Sequence, residues 1–148
     1  MINRLPSIID TLSARYFGLI ARIALFVVFF LFGILKLLGL SPADELARDF
    51  TNHMGMGAHF DLMFMGLAAF ECVIGLLFLF PKLTTIAVVA MLAHLAFVSS
   101  PIILYPAGTW TDSFVPNLAG QYIIKNLALV ALGLGLIAHQ SSKTKIKS

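Results

Sequence analysis

The sequence predicts an all-α integral membrane protein, a four-transmembrane-helix bundle with both termini cytoplasmic, an N-terminal interfacial helix and a short periplasmic helix. Three observations predict it. Hydrophobic residues make up 59% of the 148 residues and charged residues only 11%, well under the roughly 25% charged content of soluble domains. Mean hydropathy is +0.96, more apolar surface than a soluble chain of this size can bury. The apolar residues also gather into four runs of about 20, each roughly 30 Å long as a helix and matched to a bilayer core. Backbone groups in lipid must pair internally, so the runs read as helices. The alternation of barrel strands is absent.

Residues 1–19 form the first element. Leu5, Ile8, Ile9, Leu12, Tyr16 and Leu19 share one helical face, flanked by Arg4 and Arg15, the pattern of an amphipathic helix lying at the membrane surface. The first span covers about 20–40. Pro42 in the Ser-Pro-Ala stretch at 41–43 disfavours cleavage, so this span is expected to be a retained anchor. Residues 41–55, SPADELARDFTNHMG, begin like a helix: Ser41 can cap it, Pro42 suits its first turn, and Asp44 and Glu45 favour its positive end. The second span covers about 60–80, and Pro81 and Lys82 turn the chain into the third, about 84–105. The turn-rich segment 106–120 carries Trp110 and Phe114 as expected interface anchors. The fourth span covers about 120–139, and 140–148 is expected to be a disordered basic tail. No repeat or second domain is evident, so 20–139 reads as one transmembrane domain.

Orientation follows from the cations. Arg4, Arg15, Arg22, Lys82, Lys143, Lys145 and Lys147 fall at one end of the bundle. Arg48 alone lies at the other, beside Asp44, Glu45, Asp49, Asp61 and Asp112. The bias places both termini in the cytoplasm and argues against a nucleic-acid face for the net charge of +3. The lipid bilayer is the implied partner, and a bacterial inner (plasma) membrane the implied location.

Four ionisable residues lie inside the spans. Lys36 and Lys125 sit roughly 6–7 Å from the outer end of their helices, and Glu71 and His94 roughly 16 Å deep. A charge at mid-bilayer costs about 2.5–3.5 kcal/mol on an insertion scale. Glu71 must therefore be neutral, paired or facing a polar cavity, whereas the lysines can also reach the interface. Two layers on four helices predict a cavity opening outward between them. Pro101 in FVSSPIIL frees the Phe97 carbonyl, and Ser99 and Ser100 can bond the backbone there. With Gln121, these define the candidate ligand-binding set: Lys36, Glu71, His94, Lys125, Gln121, Ser99 and Ser100. No catalytic or metal-ligating set is assigned. The His- and Met-rich stretch HMGMGAHFDLMFM at 53–65 matches no metal-ligand spacing, Cys72 is alone, and soluble catalytic signatures are missing.

FGILKLLGL (32–40), ECVIGLLFLFP (71–81) and GQYIIKNLALVALG (120–133) together resemble the DoxX-like membrane proteins, including the RclC/YkgB branch. The resemblance runs from about Arg22 to Ala138 and rests on Gly33/Lys36, Glu71/Gly75 and Gly120/Lys125 in order. It implies a four-helix inner-membrane bundle. Some members are subunits of a thiosulfate:quinone oxidoreductase, and others are associated with resistance to oxidants. Lys36, Glu71 and Lys125 carry over, whereas His94 rests on the depth argument alone. Gln121 stands where relatives often carry Arg, and Asn126 where an acid often follows the lysine.

Three functions follow as expectations. The first is binding of a quinone or small oxidised or anionic ligand in a polar cavity, with a redox or oxidative-stress role. Quinone is the cofactor it suggests, and the chain is then a possible quinone-linked oxidoreductase subunit. The second is a non-enzymatic accessory or scaffold subunit, as a homo-oligomer or within a larger membrane complex. The third is a small anion or metal transporter.

Overall fold

Residues 8–145 are described by a computed structural model, and α1 fills the first thirty of them, Ile8–Leu37, without interruption. No boundary separates the expected interfacial helix from the first span; residues 1–7 of that helix lie outside the described residues. The continuity has a local cause. The stretch contains no proline, and Gly18, the one weak helix former at the junction, packs against His139, whose ring carbon lies 3.1 Å from where a Cβ on Gly18 would stand.

Gly39 stops α1. At φ +68° it adopts the left-handed conformation that lets Leu40 N–H reach the Leu35 carbonyl (2.8 Å) and its own N–H reach that of Lys36 (3.1 Å). This pattern satisfies the last carbonyls of a helix. The next helix, α2 (Asp44–His53), ends the same way at Gly55, φ +73°, with Met56 N–H on the Thr51 carbonyl at 2.9 Å. Ser41 does not cap α2 itself. Its hydroxyl accepts the Ala43 N–H at 3.2 Å, in the turn before the helix.

A single 3-10 turn, Gly57–His59, leads into α3 (Phe60–Phe78), and a second, Pro81–Leu83, joins α3 to α4 (Thr84–Ser99). The third span breaks at Pro101. There the Phe97 carbonyl accepts the Ser100 N–H at 3.1 Å, and the chain restarts as the short helices α5 (Pro101–Leu104) and α6 (Pro106–Thr109). A small antiparallel hairpin follows, β1 (Trp110–Asp112) against β2 (Val115–Pro116). Its tip residue Phe114 has φ 66° and is fully solvent- or lipid-facing, while the Trp110 indole N–H is tied back to the Ile102 carbonyl at 3.0 Å. The last helix, α7, runs from Leu118 to Lys145. It therefore carries residues 140–145 of the segment expected to be disordered; residues 146–148 lie outside the described ones.

Among the described residues, four helices are long and apolar enough to cross a membrane: Arg15–Leu37, Gly57–Phe78, Pro81–Leu104 and Leu118–Ser142. The chain is a multi-pass helical-bundle membrane protein. Arg22 donates to the Phe78 carbonyl (3.4 Å) and to Gln140 (3.3 Å), and Gln140 donates to the Pro81 carbonyl (2.9 Å). These bonds gather Arg22 of α1, Gln140 of α7 and the 81–83 turn at one end, the termini end. The other end, the loop end, carries α2 and the hairpin.

The tightest crossing joins α1 to α3. A Cβ on Gly33 would stand 2.6 Å from Cys72 Sγ and 2.7 Å from the Ala68 carbonyl oxygen, and one on Gly75 would stand 2.8 Å from the Phe30 backbone nitrogen. Each helix thus presents a glycine notch to the other, the small-residue contact by which membrane helices approach closely. Below that crossing, toward the termini end, an apolar cluster fills the core: Ala21, Leu25, Phe29, Ile74, Phe78, Ala87, Val88, Met91 and Leu136.

A buried Lys–Glu–His triad as candidate functional site

The glycine notches fix what lies a turn away. Lys36 follows Gly33 by three residues and Glu71 precedes Gly75 by four, so close packing of the two helices brings both ionisable side chains to one seam. Lys36 Nζ donates to both carboxylate oxygens of Glu71, at 2.8 Å to Oε1 and 2.6 Å to Oε2. From α4, His94 Nε2 lies 3.0 Å from Glu71 Oε1. All three residues are buried, with 8%, 5% and 4% of their surface exposed.

The two depth layers expected from the sequence merge here for a geometric reason. Side chains lean toward the N-terminus of their own helix. Lys36, near the loop-end terminus of α1, leans back into the bundle. Glu71, on the oppositely directed α3, leans toward the loop end. The lysine stem spans the remaining gap, so Lys36 pairs inward rather than reaching the interface.

The Glu71 carboxylate and Lys36 ammonium cancel, and the imidazole completes a neutral cluster if it donates through Nε2–H and leaves Nδ1 as a bare acceptor. Nδ1 is buried and has no hydrogen-bond partner. Aromatic rings flank the imidazole: Phe29 edge-on with centroids 5.7 Å apart, and Phe70 tilted at 6.1 Å. Neither phenylalanine was singled out by sequence. Phe29 carried a signal, since it lies seven residues before Lys36 and therefore on the same helix face.

The other expected site residues lie elsewhere. Lys125 is exposed, its ammonium 4.8 Å from the centroid of Tyr122 on the next turn. The reason is helical phase: α7 buries Ile123, and a residue two positions on points about 200° away. Gln121 is exposed too and donates to the Pro116 carbonyl at 3.3 Å. Ser99 accepts from Asn126 Nδ2 at 3.3 Å, a link between α4 and α7, and Ser100 continues the helical path into α5 with its N–H on Phe97. The expected set of four charges on four helices is thus a set of three on three.

The expected outward-opening cavity is replaced at these residues by closed packing. Two clefts of the surface lie apart from them. One of about 250 Å3 runs between α1 and α7, lined by Ser13, Phe17, Ile20, Ala21, Ala24 and Leu132. Another of about 420 Å3 sits beside the hairpin, against Trp110, Asp112 and Phe114. Among the described residues no group of three or more His, Cys, Asp or Glu is placed to hold a metal ion.

Compared with protein-family models, curated proteins and solved structures, the chain matches none of them.

Proposed function

We propose that the chain is a DoxX-like inner-membrane protein that binds a quinone-class ligand beside the Lys36–Glu71–His94 triad and serves a redox or oxidative-stress role. One observation carries the reading: three ionisable side chains from three helices meet, hydrogen-bonded and buried, inside an apolar bundle. Such a cluster is not needed for folding. Apolar residues of similar volume commonly hold a bundle as well or better, and ionisable groups within membrane spans characteristically mark ligand or proton sites. Paired aromatic rings beside an exchangeable imidazole suit a flat aromatic ligand dissolved in the bilayer. The distribution of Lys and Arg supports cytoplasmic termini.

The test is extraction. Protein purified in mild detergent is extracted with solvent, the extract is assayed for quinones, and the stripped protein is titrated with a short-tailed quinone in both redox states. Bound quinone, or saturable binding on add-back that is lost in Glu71→Gln, supports the reading. A clean extract with no uptake of either redox form refutes it.

A second reading has its own observation. Lys125 lies inside the fourth span on the outward face of α7, the least buried of the four spans at 17%. That face suits contact with another membrane subunit, so an accessory role within a larger complex is the alternative. A stoichiometric companion that survives gentle purification, and is lost in Lys125→Leu, would favour it.

A further inference from the structure

At the loop end, the turn that opens α3 brings part of the His- and Met-rich segment into register. Gly55 ends α2, and the chain makes the 3-10 turn Gly57–His59 before α3 begins at Phe60. Two hydrogen bonds fix this path: Met56 N–H on the Thr51 carbonyl (2.9 Å) and His59 N–H on the Met56 carbonyl (3.0 Å). Gly57 has no room for a side chain, because the Asn52 carboxamide occupies that space.

Side chains three apart eclipse in a 3-10 turn, so Met56 and His59 share a face. Side chains four apart share a face in an α-helix, so Met63 follows His59 on the same side. Each step advances about 6 Å along the axis, a gap that two flexible Met side chains can close on the imidazole between them. All three residues are exposed, Met56 at 40% and Met63 at 37%. Their neighbours leave the face clear. Only Gly57 and Ala58 separate Met56 from His59, and Gly66, three residues beyond Met63, has open space where a Cβ would stand. His53 is placed differently, with its ring against Tyr105 at 4.9 Å. Met65 points about 200° away from Met63.

We propose that Met56, His59 and Met63 form a binding site for a soft monovalent cation, Cu(I). Two thioethers and one imidazole are uncharged donors. Thioethers select Cu(I) over hard cations such as Mg2+ and Ca2+, and the set lacks the thiolates or carboxylates that usually accompany imidazole around Zn2+. The bound ion keeps its positive charge, which suits its place outside the apolar core. The loop end carries Asp44, Glu45, Asp49, Asp61 and Asp112 against Arg48, a field that attracts cations. The expected span begins at about 60, which leaves Met56 and His59 without a defined face; the 3-10 turn supplies one.

The experiment titrates the purified full chain in detergent with Ag(I), a redox-inert analogue of Cu(I), and with Cu(I) itself under anaerobic competition against a colorimetric chelator. Methionine methyl groups are labelled with 13C. A single equivalent should bind, and the Met56 and Met63 methyl resonances should move with it. Met91, fully buried in the core, should stay fixed as the internal reference. Met56→Leu, Met63→Leu and His59→Ala should each weaken binding by at least the roughly tenfold that loss of a supporting group costs a metal site. Met54→Leu and Met65→Leu should leave it unchanged. The same titration in Cys72→Ala separates the site from the one thiol of the chain; retained binding supports the proposal and lost binding overturns it. If a variant fails to fold, the methyl shifts of the unaltered chain decide. No saturable uptake of either ion, binding indifferent to Met56→Leu and Met63→Leu, or shifts confined to Met54 and Met65 would each overturn it.

Discussion

Lys36 and Glu71 lend themselves to a double-mutant cycle whose outcome the geometry fixes. Lys36→Met removes the ammonium but leaves a buried carboxylate with only His94 beside it. Glu71→Gln leaves a buried ammonium facing an amide. Breaking a buried pair from one side costs about 3–5 kcal/mol, so the two single changes would sum to roughly 6–10 kcal/mol if independent. The double variant has no buried charge. His94 Nε2 keeps an amide oxygen, and the remaining penalty is an under-satisfied amide N–H2, about 1–3 kcal/mol. The coupling energy should therefore be favourable by at least about 3 kcal/mol, far beyond the roughly 0.5 kcal/mol scatter of independent sites. The assay is reversible unfolding in mixed micelles, titrated with a denaturing detergent and followed by helical signal. Additive single and double variants would refute the pairing: Lys36 would then be reaching the interface and Glu71 would be uncharged.

Further outcomes follow from the packing. Gly33→Leu should destabilise by about 1–3 kcal/mol and loosen the triad, because its Cβ would already stand 2.6 Å from Cys72 Sγ; the same unfolding assay checks it. Lys125→Ala should change stability by no more than about 0.5 kcal/mol and leave quinone-class binding unaltered, since its ammonium touches Tyr122 and not the triad. Gly39→Ala should cost about 1 kcal/mol or more, because a side chain is strained at φ +68°, even though the space around it is open. Arg48→Ala should cost about 0.5–1 kcal/mol by freeing the Phe60 ring that the guanidinium covers at 4.0 Å; proteolysis between α2 and α3 should quicken accordingly.

The four spans and the triad's members were legible in the sequence because each breaks a strong expectation. A twenty-residue apolar run has few other uses, and an ionisable residue within one is costly enough to stand out. What sequence could not supply was rotational phase. Depth along a helix can be counted in residues, but the face a side chain occupies depends on which neighbours the helix packs against. Lys36 and Lys125 have similar depths, yet one lies on the α1–α3 seam and the other faces away from the core. Pairing was hidden for the same reason: counting Cα positions put Lys36 and Glu71 in separate layers, whereas their oppositely leaning side chains meet. The hairpin at Trp110–Pro116 escaped because strands of two or three residues leave no periodic pattern.

The triad's position within the bundle constrains how any proton or ligand reaches it. On α1, Ala21, Leu25 and Phe29 lie between Lys36 and the termini end. On α3, Ile74 and Phe78 do the same below Glu71, and on α4, Ala87, Val88 and Met91 below His94. These side chains offer no donor or acceptor, and the polar groups at that end, Thr84, Arg22 and Gln140, bond to carbonyls and to one another rather than to the triad. At the loop end, Lys36 lies one residue from the end of α1, and α2 is joined by glycine-capped turns on both sides, so the triad sits nearer that end of the bundle.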